Sequence, residues 1–290
     1  MQIYLNGSFV EKDRAGLSVD ERGFLLADGL YEVVRVYGGN MLRLEDHLER
    51  LRHGCRELSI EYDDFAQIAE IAYELLGRNS HKSGQATVYI QITRGVAPRK
   101  HRFPSKGTRP TVYIATSPLS PNLDQIKAGI AAITVDDIRW QRSHLKTIAL
   151  LPNVLAQEGA SRSGAQEALF VDAGNIMEGT HSNCFAIKAG RLFTPPLSNK
   201  ILAGITRKIV FEICAQIGLD VYMEPIPRAS ISGLDEFFIT STTLEITPVI
   251  RLDDNIINES TPGQLTMQVQ KVVYEYIARK CEYGALLDVL

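Results

Sequence analysis

The chain reads as a mixed α/β (α+β) protein of two domains, and three observations carry that reading. Strand-like and helix-like hydrophobic periods alternate along it. A proline-containing break divides the pattern into two unequal parts. Its 290 residues are enough for two ordinary cores. The boundaries follow from the break: an N-terminal α/β domain over 1–117, a linker over 118–123 and a C-terminal domain over 124–290.

Taken in order, Met1 to Gly7 reads as a strand and turn and lacks the charged-then-apolar plan of a signal peptide. Tyr31 to Tyr37 is rich in branched and aromatic residues and predicts a strand, turned by Gly38-Gly39-Asn40 into a hairpin. Leu44, Leu48, Leu51, Cys55 and Leu58 recur at helical spacing. Phe65, Ile68, Ala72, Leu75 and Leu76 mark a second helix, expected to end near Gly77. Ala86 to Thr93 and Thr111 to Thr116 predict strands paired in one sheet. Ser117-Pro118-Leu119-Ser120-Pro121-Asn122 is the linker, because its prolines extend neither a helix nor a central strand. Beyond it, Val154 to Ala160 predicts a helix, Glu167 to Val171 a strand and Asp172 to Asn175 a turn. Thr206 to Ile217 predicts a helix with Thr206 placed to cap it. Phe237 to Thr240 and Thr247 to Leu252 predict strands. A final helix puts Leu265, Val269, Val272, Tyr276 and Ile277 on one side.

Composition narrows the function. Apolar content of 45% and charged content of 22% are those of a soluble globular protein. The 31 basic and 34 acidic residues give a net charge of -3 with no basic stripe, which argues against nucleic acid. No apolar run reaches membrane-spanning length. Cys55, Cys184, Cys214 and Cys281 lack metal-type spacing, so no metal is expected, and reduced thiols fit a cytoplasmic protein.

Taken alone, Lys146 is one more surface lysine. A Schiff-base lysine must be partly deprotonated to attack an aldehyde, and cationic neighbours favour that state; Arg139 and Arg142 lie close in sequence. Thirty-two residues on (178 minus 146) comes Glu178-Gly179-Thr180-His181-Ser182-Asn183-Cys184-Phe185, continued by Leu192, Thr194, Leu202, Gly204, Ile205 and Arg207. This run resembles, position for position, the signature of the class IV aminotransferases, the pyridoxal 5'-phosphate enzymes of fold type IV.

The resemblance implies a C-terminal cofactor-binding domain with a pseudo-barrel. It implies that Lys146 carries the cofactor covalently and that Glu178 pairs with the protonated ring nitrogen, which makes the ring a better electron sink. Arg50, Ile205, Thr206 and Thr242 are implied to hold the phosphate, whose charge suits an arginine and a helix N-terminus. His181 and Ser182 fall beside the cofactor with no role assigned, and His181 departs from a pattern richer in serine.

Within the family, Thr93-Arg94-Gly95-Val96-Ala97-Pro98-Arg99-Lys100-His101-Arg102-Phe103-Pro104 is similar to the segment of the D-amino acid transaminases that traps the substrate α-carboxylate. Arg99, His101 and Tyr31 take that part by resemblance. The implied activity is ping-pong amino transfer from a D-amino acid (D-alanine, D-glutamate or D-aspartate) to a 2-oxo acid such as 2-oxoglutarate or pyruvate. A homodimer whose Arg99/His101 loop reaches the neighbouring active site is implied in the same way. An L-branched-chain aminotransferase and an aminodeoxychorismate lyase of the same fold are the alternatives.

Overall fold

The computed structural model describes residues 1–289 as two compact units. The first contains Met1–Ser120, Leu145–Ala149 and Lys280–Tyr283, and the second the remainder.

The first unit is built on strands β1 (Gln2–Leu5) and β2 (Ser8–Glu11), the short helix α1 (Arg22–Leu26), β3 (Gly29–Tyr37), β4 (Asn40–Met41), helices α2 (Leu44–Glu57) and α3 (Phe65–Arg78), β5 (Gln85–Thr93) and β6 (Thr111–Pro118). The strands form one antiparallel sheet in the order β2-β1-β6-β5-β3-β4. Alternation sorts the side chains. Leu30, Val34 and Val36 of β3, with Val88, Ile90 and Ile92 of β5, join a core with Leu48 and Leu51 of α2 and Ile68, Leu75 and Leu76 of α3. Truncating Leu75 to alanine there costs about 2–5 kcal/mol by the usual cavity penalty. The odd-numbered face instead carries the half-buried Tyr31, Tyr89 and Tyr113.

Two boundaries differ from the sequence expectation. α3 continues one residue past Gly77. Pro118 is the last residue of β6, opposite Ala86, at a point where β6 has a neighbour only on the β5 side and its missing N–H breaks no ladder. The irregular connection is therefore 119–122, since Leu123 opens the next helix.

The second unit contains α4 (Leu123–Ala128), β7 (Ile130–Asp136), α5 (Leu151–Arg162), β8 (Glu167–Asp172), β9 (Asn175–Gly179), β10 (Asn183–Lys188), β11 (Arg191–Thr194), α6 (Ile205–Gln216), β12 (Val221–Met223), β13 (Ile226–Pro227), β14 (Glu236–Ser241), β15 (Glu245–Leu252), β16 (Asn255–Ile256) and α7 (Gln264–Lys280). Its sheet runs β12-β11-β10-β14-β15-β7-β8-β9-β13, with β16 on β15. Gly179 donates its N–H to the Ser182 carbonyl at 2.7 Å, so β9 turns directly into β10 and returns the path β10-β14-β15-β7-β8-β9 to its start. Ile130, Leu169, Ile176, Cys184, Phe237, Ile239 and Val249 form the core.

Helix α7 buries Val269 and Ile277 as expected, but not Leu265, Val272 and Tyr276. Thr266, Val269, Gln270, Val273, Tyr274 and Ile277 are buried, while Leu265, Val272 and Tyr276 are half-buried. Polar anchoring decides this, with Gln270 donating to the Ile126 and Ile246 carbonyls and the Tyr274 hydroxyl reaching Glu245 at 2.6 Å.

Candidate active site

In the first unit, Leu145–Ala149 lies along the start of β3. Tyr31 N–H donates to the Lys146 carbonyl at 3.0 Å and Ile148 N–H to the Gly29 carbonyl at 3.1 Å, with Leu30 opposite Thr147. This antiparallel pairing fixes the lysine's backbone although the sequence places it in the other half of the chain. Lys146 Nζ lies 4.4 Å from the centre of the Tyr31 ring, within cation–π range. Tyr31 stacks on Tyr89 at 5.8 Å, and Tyr89 donates its hydroxyl to Gln91 at 2.6 Å. Burial pushes the Tyr89 and Tyr113 phenols up, so both stay neutral.

Next to Tyr31, on the opposite face of β3, Glu32 is completely buried. Arg50 donates from Nε to Oε1 and from Nη2 to Oε2, each at 2.7 Å, and His47 Nδ1 lies 2.7 Å from Oε2. Burial by itself raises a carboxyl, but the Arg50 charge and the hydrogen bonds from Arg50 and His47 outweigh it and hold Glu32 at about 2. Burial is also the largest influence on His47 and pushes it down; Glu32 opposes, and the Arg50 and Lys146 charges add to the depression. His47 is thus neutral at neutral pH and can donate its Nδ1 proton to the carboxylate. The fork of Arg50, expected to serve the phosphate, is engaged by Glu32.

Arg99 and His101 sit on the exposed loop between β5 and β6. Their loop leaves β5 through Gly95, whose φ is +96° and whose Cβ would stand 2.0 Å from the Arg109 carbonyl oxygen, so only glycine fits.

In the second unit, Glu178 is buried near the end of β9. Arg139 Nη1 donates to its Oε1 at 2.6 Å. Asn183 Nδ2, at 3.1 Å, and Leu202 N–H, at 2.9 Å, donate to its Oε2. Asp137 binds Arg139 through both carboxylate oxygens, and Phe170 lies under the guanidinium at 4.2 Å. Burial pulls Arg139 down, but Asp137 and Glu178 prevail and raise it above its ordinary value. The turn after Glu178 is held by a second buried carboxylate, Glu167. It accepts from Thr180 N–H, Thr180 Oγ1 and Ser182 Oγ at 3.0, 2.5 and 2.7 Å, and the half-exposed His181 places Nδ1 3.4 Å from it.

Helix α6 begins at Ile205, not at Thr206, with Gly204 as its N-cap and no side-chain cap. Thr206, expected as the cap, is inside the first turn, and the first-turn N–H groups are left for another acceptor. A Cβ on Gly204 would stand 2.0 Å from Asn183 Oδ1, so the backbone there needs glycine. Thr240, directly opposite Asn183 across β10 and β14, has a buried hydroxyl without a hydrogen-bond partner among the described residues. An uncapped helix start, an unsatisfied buried hydroxyl and the following Ser241-Thr242 turn suit a phosphate's oxygens. The residues present fit the cofactor.

Comparison with known proteins agrees. The family description Amino-transferase class IV matches residues 29–252. The chain belongs to the class IV aminotransferases. It is 36% identical to a D-alanine aminotransferase of Staphylococcus aureus (strain N315), over 95% of this chain and 98% of that one. To a D-alanine aminotransferase of Bacillus licheniformis it is 35% identical, over 96% and 97%. Among solved structures, the branched-chain amino acid aminotransferase of Escherichia coli superposes with a TM-score of 0.86 at 26% identity, covering 93% of this chain and 92% of that one. Another branched-chain amino acid aminotransferase, solved with pyridoxamine 5'-phosphate, superposes with a TM-score of 0.87 at 25% identity, covering 98% and 97%. This class IV aminotransferase is a transaminase of fold type IV that uses pyridoxal 5'-phosphate.

Sequence reasoning passed over Glu32, Glu167 and Asp137. Glu32 left a signal: it occupies an even position of a strand whose other even positions, Leu30, Val34 and Val36, are apolar. A charge in that series must be paired or functional. Asp137 and Glu167 carry no such mark: Asp137 binds Arg139 only two residues on, and Glu167 meets Thr180 and Ser182, 13 and 15 residues on, through the fold.

Proposed function

We propose that this enzyme transfers the amino group of a D-amino acid, of the alanine, glutamate or aspartate type, to a 2-oxo acid such as 2-oxoglutarate or pyruvate. The near full-length likeness to D-alanine aminotransferases carries the reading, and the Arg99-Lys100-His101 loop supports it.

Pyridoxal phosphate, when bound, supplies an electrophilic carbonyl and an electron sink. Lys146 Nζ is the group that would hold it covalently and would relay the substrate α-proton. Glu178 is the carboxylate for the ring nitrogen, oriented by Arg139 Nη1 at its Oε1. The N–H groups of Ile205 and Thr206, with Thr242 and Arg50, receive the phosphate. Tyr31, Arg99 and His101 receive the substrate carboxylate, and the arginine fork fixes which face of the α-carbon is presented.

A homodimer completed by the Arg99/His101 loop fits the surface. Leu151, Val154 and Leu155 form an exposed apolar stripe at helical spacing on α5. Four buried free thiols fit a reducing cytoplasm; no helix among the described residues is long and apolar enough to cross a membrane.

The deciding experiment compares D-alanine with L-leucine as donors to 2-oxoglutarate. Turnover of D-alanine with little of L-leucine is expected. Preference for L-leucine would establish the branched-chain activity instead, and pyruvate release from aminodeoxychorismate without an amino acceptor would establish the lyase.

A further inference from the structure

Two buried arginines and one carboxylate have no part in the chemistry above. Arg22 and Arg94 are 3% and 6% exposed. Both bind Asp28: Arg22 Nε reaches Oδ2 at 2.8 Å, while Arg94 reaches Oδ2 from Nε at 2.8 Å and Oδ1 from Nη2 at 3.0 Å. One carboxylate thus neutralises only part of two desolvated cations, an arrangement that is costly unless the remaining N–H groups are used.

Both guanidinium groups meet the loop after β5. Arg22 Nη1 donates to the Lys100 carbonyl at 2.8 Å. Lys100 is the residue between Arg99 and His101. The Arg94 guanidinium lies 3.7 Å from the centre of the Phe103 ring, two residues beyond His101. Arg94 also donates to the Leu58 and Ser59 carbonyls, each at 2.7 Å, which ties it to the scaffold. The base of the loop is held separately, by Arg22 N–H on the Gly95 carbonyl at 3.0 Å and Ala97 N–H on the Asp20 carbonyl at 3.2 Å.

We infer that Arg22 and Arg94, coupled through Asp28, are positioning residues that set where Arg99 and His101 present their side chains, and so tune recognition of the substrate α-carboxylate. This rests on the reading of Arg99 and His101 given under the proposed function. A flexible loop would have to be ordered at each binding event; a backbone clamped at Lys100 and Phe103 has met that entropy cost in folding.

The holoenzyme is assayed with D-alanine and with ethylamine, the same amine without the carboxylate, following the first half-reaction by cofactor absorbance. Arg22→Gln should raise KM for D-alanine roughly tenfold, the factor that about 1.4 kcal/mol carries. The change should fall on KM more than on kcat and shrink the preference for D-alanine over ethylamine. Phe103→Ala, at an exposed ring, removes the Arg94 stack with little risk to folding and should act in the same direction by about threefold. Hydrogen exchange of the 99–103 amides should quicken in both. Arg99→Gln is the control. If it collapses the preference while folded Arg22→Gln and Phe103→Ala keep wild-type KM and preference, the positioning role is overturned and the carboxylate site stands. If Arg99→Gln itself leaves the preference intact, both are overturned. Should Arg22→Gln fail to fold, the Phe103→Ala result decides.

Discussion

Each unit buries a glutamate against an arginine, and the two pairs differ instructively. Glu32 has both oxygens taken by the Arg50 fork, with His47 at the second. Glu178 accepts from Arg139 at Oε1 and from the neutral N–H groups of Asn183 and Leu202 at Oε2. Displacing the partners of Glu32 would strand an arginine and a histidine in the core. A cationic group arriving at Glu178 competes with Arg139, which Asp137 already binds through both oxygens. The first arrangement ties α2 to β3 beside Tyr31 and fixes the Arg50 fork; the second suits a carboxylate that must itself serve a ligand.

Activity should divide along this line. Lys146→Ala is expected to lower turnover at least ~10³-fold and remove the long-wavelength absorbance of the holoenzyme; stopped assays and a spectrum check both. Glu178→Gln should reduce kcat/KM by about 10²-fold, a typical loss for one charge-stabilising contact, while the urea midpoint moves little. A large stability loss without a kinetic one would erase the distinction between the two glutamates.

Glu32→Gln should destabilise the fold by about 3 kcal/mol, read from urea unfolding, because Arg50 stays partly buried without its anion. The acid limb sharpens the contrast. The Glu32 carboxyl lies at about 2 when folded, below its ordinary 4.5. Its contribution is therefore complete above about pH 4.5 and is lost as pH falls toward 2, of order 3 kcal/mol. His47 is depressed from 6.5, so the unfolded chain takes its proton first and stability already declines as pH drops below that value. Glu32→Gln should remove the lower of these two phases; persistence of an unchanged acid limb would count against the pairing.

Smaller effects should follow at the rim of the Glu178 site. Gly204→Ala would push Asn183 from its place and should weaken cofactor affinity about tenfold in a dialysis and reconstitution titration. His181→Ser should change kcat/KM less than about threefold, since the ring is half-exposed and Glu167 keeps its Thr180 and Ser182 donors.

By itself the sequence determined the element types, the family and the residues that carry its signature. Periodicity and motif spacing are local properties, and Tyr31 to Tyr37, Leu44 to Leu58 and the run from Glu178 express them within a few turns of chain. Only the tertiary structure decided that Lys146 lies along β3, that Glu32 gathers Arg50 and His47, that Glu167 organises the turn after Glu178 and that the α7 face is set by Gln270 and Tyr274. Burial and pairing of charge depend on which distant segments meet, and no spacing in the chain records that.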